Sequence, residues 1–198
     1  MSIKAIKGNI MDTAPLNSEA IAVWMCDGFV GRNGIWRFEI EERNIKLELI
    51  HPTNLTRSEV ISASENKPWI LAFDTLWKIS NENHGHLKYI YIFPNPEDKQ
   101  RLDSLDEMDL LINRCFDLLH EHHINSVSLI LIPALELIQP VQPGQNAQYL
   151  ADLASAKHMI SSIKNWLSEN KVDMNVYLVD QSDDFRKLMI ELNQKTST

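Results

Sequence analysis

Glycine is scarce in this chain, with six among 198 residues, yet three of the six fall at positions 28, 31 and 34. A glycine-poor protein that gathers its glycines in "CDGFVGRNGIWRF" is placing backbone that comes close to another group or turns to positive φ. Cysteine is scarcer still. Two residues, Cys26 and Cys115, exclude a disulfide framework, so free thiols are expected, with Cys115 as ordinary helix core. Basic residues are outnumbered, 19 Lys and Arg against 27 Asp and Glu, for a formal charge of −8 and a pI near 5.3. That balance excludes a broad nucleic-acid surface, because phosphates must be met by Lys and Arg. No apolar run approaches the roughly 20 residues that span a bilayer, and "MSIKAIKGNI" lacks the apolar core of a signal peptide. The expectation is no membrane partner and a cytoplasmic location.

What is present fits a single folded domain. With 44% hydrophobic and 23% charged residues, residues 1–198 are expected to bury one core, with 44–68 an irregular elaboration and 194–198 a frayed tail. Strand-like stretches at 3–10 and 19–25 flank "MDTAPLNS", whose proline and polar residues predict a turn. After the glycines, "GIWRFEIEERN" places Ile35, Phe38 and Ile45 at helical spacing, with Asn33 positioned to cap. Residues 69–79 and 88–93 read as two strands, a hairpin around "SNENHGH". Ser104 followed by Glu107 is a capping box, and Met108, Leu111, Cys115, Leu118 and Leu119 share one helical face. The continuous apolar run "SVSLILIP" predicts a strand covered on both sides. A proline-containing loop, a long helix over 147–170, a strand at 174–180 and a closing helix capped by Ser182 complete the chain.

Strands alternating with helices predict an α/β fold, a three-layer α/β/α sandwich around a central mixed sheet. Ligands of such sheets sit beyond the carboxyl ends of the strands. Two segments qualify: the glycine cluster after Met25 and "ALELIQPVQPGQN" after Pro133.

Other constellations carry less. His120 and His123 in "HEHH" invite a metal reading, but imidazoles at a helix C-terminus are favoured by its dipole, so no metal site is expected. Trp24, Trp36, Trp69 and Trp77 read chiefly as core aromatics. No serine-histidine-acid order or paired-carboxylate motif stands out.

Taken in order, "IKGNI", "EAIAVWMCDGFVGRNGIWRF", "IFPNPEDK" and "SVSLILIPAL" resemble the first strand, the second strand with its glycine loop, a later strand end, and the strand leading into the second phosphate loop of a macro domain. The likeness covers nearly the whole chain. It is nearest in look to the branch containing antitoxins that remove ADP-ribose from DNA. The resemblance implies binding of ADP-ribose or a related nucleotide, without a separate cofactor. It implies ligand contacts at Asn9 and Ile10, and at Gly28, Gly31, Arg32, Asn33, Gly34 and Ile35 of the glycine loop. Phe93, Ala134, Leu135 and Glu136 complete the set. Were an ADP-ribosyl linkage hydrolysed, Asp27, Arg32 and Asn95 would be the candidates for that chemistry.

Four departures bear on this. Asn9 stands where the family has an Asp that accepts from the adenine amino group, and it accepts without charge. The asparagines that hold the distal ribose are missing from positions 22–26, where Trp24 is bulky enough to fill that subsite. Asn95 and Pro96 replace an expected threonine and lysine. Leu135, Glu136 and Leu137 stand where small residues would expose N–H groups to a diphosphate. A second expectation therefore stands beside nucleotide binding: a degenerate macro fold acting as a protein-interaction or immunity-type module without turnover, its acidic surface meeting a basic partner. Recognition of a different small molecule is a third.

Overall fold

The computed structural model describes residues 2–26, 34–52, 75–93, 104–131 and 147–181. Eight strands among them are β1 (Ser2–Lys7), β2 (Ala20–Cys26), β3 (Gly34–Trp36), β4 (Leu47–Pro52), β5 (Thr75–Ile79), β6 (Tyr89–Ile92), β7 (Ser126–Ile130) and β8 (Asn175–Asp180). Four helices accompany them: α1 (Ile10–Asn17), α2 (Arg37–Glu42), α3 (Leu105–Glu121) and α4 (Ala147–Glu169). The sheet runs β1, β8, β7, β2, β6, β5, β4, with β3 beside the last residues of β2. Pairing is parallel from β1 through β6 and antiparallel at β5 and β4, so the sheet is mixed.

Parallel neighbours need crossovers, and right-handedness decides which face each helix covers. The step from β1 to β2 through α1 moves along the sheet in one direction. The steps from β6 to β7 through α3 and from β7 to β8 through α4 move in the other. Helices α1 and α2 therefore cover one face and α3 and α4 the opposite one, which makes three layers. Contacts agree: Asn9 at the start of α1 reaches Glu39 of α2, while Phe116 of α3 meets Trp166 of α4 with ring centroids 5.4 Å apart.

Helix α3 forms where its pattern says it should. Ser104 accepts the Glu107 N–H at 3.1 Å, and Met108, Leu111, Ile112, Cys115, Phe116, Leu118 and Leu119 are buried. Its outer polar groups tie it to α4: the Trp166 indole donates to Asp117 at 2.9 Å, and Asp109 takes bonds from both Ser162 and His158. Truncating the cap, Ser104→Ala, should lower stability by about 1 kcal/mol. Thermal unfolding should show it as a fall of roughly 2–4 °C.

Elsewhere the chain departs from its sequence pattern. The segment expected to turn after β1 is helix α1, despite Pro15. Asn9 caps it, and Ile10, Met11 and Ala14 bury one side of it. Docking on the sheet offsets the hydrogen bond that Pro15 cannot make. Gly34–Trp36 is a short strand against Trp24, Met25 and Cys26 rather than the first turn of a helix, so α2 starts only at Arg37. Within 44–68, the residues Leu47–Pro52 form β4, which pairs with β5.

The amino edge of the parallel strands is closed by hydrogen bonds. Glu19 accepts from Lys88 N–H at 2.8 Å and Tyr89 N–H at 3.0 Å through its carbonyl, and from Asn125 N–H at 2.9 Å through its carboxylate. Its own N–H donates to Ser126 Oγ at 3.0 Å. The backbone polar groups named here are satisfied by one another and by the side chains of Glu19 and Ser126.

Candidate functional site

Beyond the carboxyl edge, β2 and β7 are direct neighbours, with Ala20, Ile21 and Ala22 opposite Val127, Ser128 and Leu129. From β2 the chain leads toward α2 on one face; from β7 it leads toward α4 on the other. Such a reversal of winding between adjacent parallel strands opens a crevice at their carboxyl ends. Residues 27–33, which carry Gly28 and Gly31, leave from β2, and residues 132–146 follow β7 and Leu131. The two segments singled out by sequence thus depart from neighbouring strands on either side of this reversal.

Of the candidate residues, Asn9, Ile10, Gly34, Ile35 and Phe93 fall within the described residues. Asp27, Gly28, Gly31, Arg32, Asn33, Asn95, Ala134, Leu135 and Glu136 lie outside them, as do the side chains of Trp24 and Trp36. Gly34 and Ile35 pair through the backbone with Trp24 and Met25, which anchors the far end of the glycine segment to the strand it left. Ile10 is buried in the core. Phe93 is fully enclosed, its N–H donating to Val23 O at 2.9 Å and its ring edge-to-face with Tyr91 at 5.1 Å.

Asn9 is the best-defined candidate. Its Oδ1 accepts the Met11 N–H at 2.7 Å, and its Nδ2 donates to Glu39 Oε1 at 3.1 Å. An amide has four hydrogen-bonding positions, so one lone pair and one hydrogen remain beyond these two bonds. Gly8, just before it, donates its N–H to Asp180 O at 3.0 Å, which fixes Asn9 to the end of β8. A Cβ on Gly8 would lie 2.8 Å from Thr13 Cγ2, so this approach of backbone to α1 suits glycine. A second tie joins α1 to the residue just past α2, the ion pair of Arg43 with Asp12 at 2.5 Å. Sequence reading named Asn9 but not its distant neighbours Glu39 and Asp180. Contacts between residues 30 or more positions apart leave no local pattern to find.

The remaining polar clusters do other work. His158 and Ser162 both bond to Asp109, and the Ser162 hydroxyl meets His158 at its backbone carbonyl, 3.1 Å away, so the set lacks the hydroxyl-to-imidazole bond that activates a nucleophile. The helix holding His120 ends at Glu121, and His123 follows at φ 57, so the two imidazoles do not share a helical face. His120 instead packs edge-on against Trp166 at 6.0 Å. Among the described residues no group of three His, Cys, Asp or Glu side chains is placed to hold a metal. No helix among them is long and apolar enough to cross a membrane.

Comparison of the whole fold with solved structures decides its class. The macrodomain of Mycobacterium tuberculosis DarG superposes with a TM-score of 0.52 over 91% of this chain and 99% of its own, at 16% sequence identity. A Trypanosoma brucei macrodomain in complex with ADP-ribose superposes at 0.53 over 96% of this chain and 68% of its own, at 11% identity. The chain has the macrodomain fold. It is a divergent example: no protein-family model matches the sequence, and no curated protein does. The same macrodomain fold aligns at a TM-score of 0.52 with tomato leucine aminopeptidase, over 34% of that chain and at 11% identity, so the fold by itself does not name a chemistry.

Proposed function

We propose that this macrodomain fold binds ADP-ribose or a related nucleotide along the carboxyl edge of its parallel strands. The carrying observation is the reversal of winding between β2 and β7, which lies between the departures of the glycine segment and of the second loop. In this reading the N–H groups around Gly28, Gly31 and Gly34 meet the diphosphate, with Arg32 adding a fixed charge. Asn9 accepts from the adenine amino group. Span supports an elongated ligand: β1 stands three strands from β2, or ~14 Å at about 4.8 Å per strand. A small anion would not reach from the glycine segment to Asn9; a nucleoside diphosphate sugar does. Hydrolysis of an ADP-ribosyl linkage, if the protein performs it, would engage Asp27, Arg32 and Asn95.

Thermal unfolding with ADP-ribose, NAD and AMP tests the binding reading. The transition should rise steadily with ligand concentration, reaching about 2.7 kcal/mol of added stability at a hundred times the dissociation constant. Gly34→Trp should abolish the rise. No shift at millimolar ligand would remove nucleotide binding and leave the second reading, an interaction module whose net charge of −8 meets a basic partner. That reading is favoured by the presence in the sequence of Leu135, Glu136 and Leu137, since the resemblance implies small residues with exposed N–H groups for a diphosphate at those positions.

A further inference from the structure

We infer that Glu39 is a specificity-determining positioning residue: by holding the Asn9 amide in one orientation, it makes the site select 6-amino purines over 6-oxo purines. The inference rests on the nucleotide-binding reading above.

A side-chain amide presents two nearly isosteric ends, one accepting and one donating, and exchanges them by a half-turn. At Asn9 both neighbours are unambiguous. The Met11 backbone N–H can only donate, so the end 2.7 Å from it is the oxygen. The Glu39 carboxylate, when ionised, can only accept, so the end 3.1 Å from it is the nitrogen. Two independent partners choose the same orientation, and a half-turn would set oxygen against carboxylate and N–H against N–H. Both pairs would then repel.

The spare lone pair and the spare hydrogen of Asn9 are thereby held in a fixed order. Adenine presents its 6-amino donor beside a ring-nitrogen acceptor, which matches an amide offering oxygen and then nitrogen. Hypoxanthine presents an acceptor at the 6-position, and an amide could meet it only after the half-turn. Helix α2 keeps its place without Glu39, because Ile40 is buried in the core and Arg43, just past the helix, pairs with Asp12 on α1. Removing the Glu39 carboxylate therefore takes away one of the two constraints on the amide without releasing the helix, and leaves only the Met11 N–H to oppose the half-turn. The native chain carries its discrimination in a residue 30 positions from the one that would touch the base.

Isothermal titration of the wild-type protein, Glu39→Ala and Glu39→Gln with AMP and IMP tests this. Wild type should prefer AMP by about tenfold or more, as expected when a mismatched polar group is left unpaired. Glu39→Ala should reduce the AMP-to-IMP ratio to about threefold or less, chiefly by improving IMP binding. Glu39→Gln should fall between the two, because its amide can turn either to accept from Asn9 Nδ2 or to donate to Oδ1, keeping the contact without fixing its sense. A purely structural role for Glu39 would weaken both nucleotides equally and leave the ratio in Glu39→Ala at the wild-type value, which overturns the inference. Equal binding of AMP and IMP by wild type also overturns it while leaving nucleotide binding intact. Binding of neither overturns both.

Discussion

Replacing Trp77 with alanine is expected to cost about 3–5 kcal/mol, the range for emptying a buried aromatic site. Trp77 lies in the middle of β5, opposite Leu49 of β4 and Ile90 of β6, and none of it is accessible. Its indole N–H donates to Thr75 Oγ1 at 2.8 Å, and Thr75 is equally buried. Alanine leaves a cavity the size of the indole and a buried hydroxyl without its donor, so the transfer, cavity and hydrogen-bond losses fall together. Urea unfolding should show a lower midpoint with an unchanged slope. Trp77→Phe separates the contributions, since it keeps most of the ring and removes the N–H; a cost equal to that of alanine would place the whole effect in the hydrogen bond.

The second large effect lies where the chain between β5 and β6 meets the end of α1. Gly85 has φ +61, and a Cβ built there would stand 2.3 Å from the Pro15 carbonyl oxygen and 3.0 Å from its carbon. Both are backbone atoms with no rotamer to give way. Next to it, the His86 N–H donates to that same oxygen at 2.7 Å. Gly85→Ala must therefore push the loop from α1, losing this bond while placing a Cβ in left-handed backbone. A cost of about 3 kcal/mol follows, or roughly 6–12 °C in thermal unfolding. Gly85→Asn distinguishes the two causes. Asparagine tolerates this backbone region, as Asn44 and Asn83 do at φ 50 and 84, so a purely torsional penalty would largely disappear. A persistent loss is expected, because the collision with Pro15 is the same for every Cβ.

The elements legible in the sequence are those whose signals are local and repeated. Ser104 and Glu107 announce α3 because a cap and its partner lie one turn apart, and Met108, Leu111 and Cys115 repeat the period of the helix. The run from Ser126 reads as an interior strand because both faces of β7 are covered and nothing in it alternates. Helix α1 was not legible, since Pro15 and the polar residues around it spell a turn and its buried side is only Ile10, Met11 and Ala14. Three residues are likewise too few to show a period, which hides β3. In the candidate site, Asn9 is named through the resemblance of "IKGNI" to the first strand of a macro domain. Neither Glu39 nor Asp180 could be named that way, because each comes from a distant part of the chain.

The pairing of β1 with β8 sets the order in which the protein can mature. Six residues at the start of the chain, Ser2 to Lys7, lie in register with Asn175 to Asp180, and Gly8 completes the match by bonding to Asp180. Ribosomes make the first strand early and its only sheet partner among the described strands late. The intervening layers can assemble while β1 waits, since β2, β6 and β7 pair without it. The tie that fastens Gly8, and Asn9 next to it, to the sheet forms only after residue 180 has emerged. A nascent chain can thus acquire most of its core before it acquires the adenine end of its proposed pocket, which waits for β8 to pair with β1.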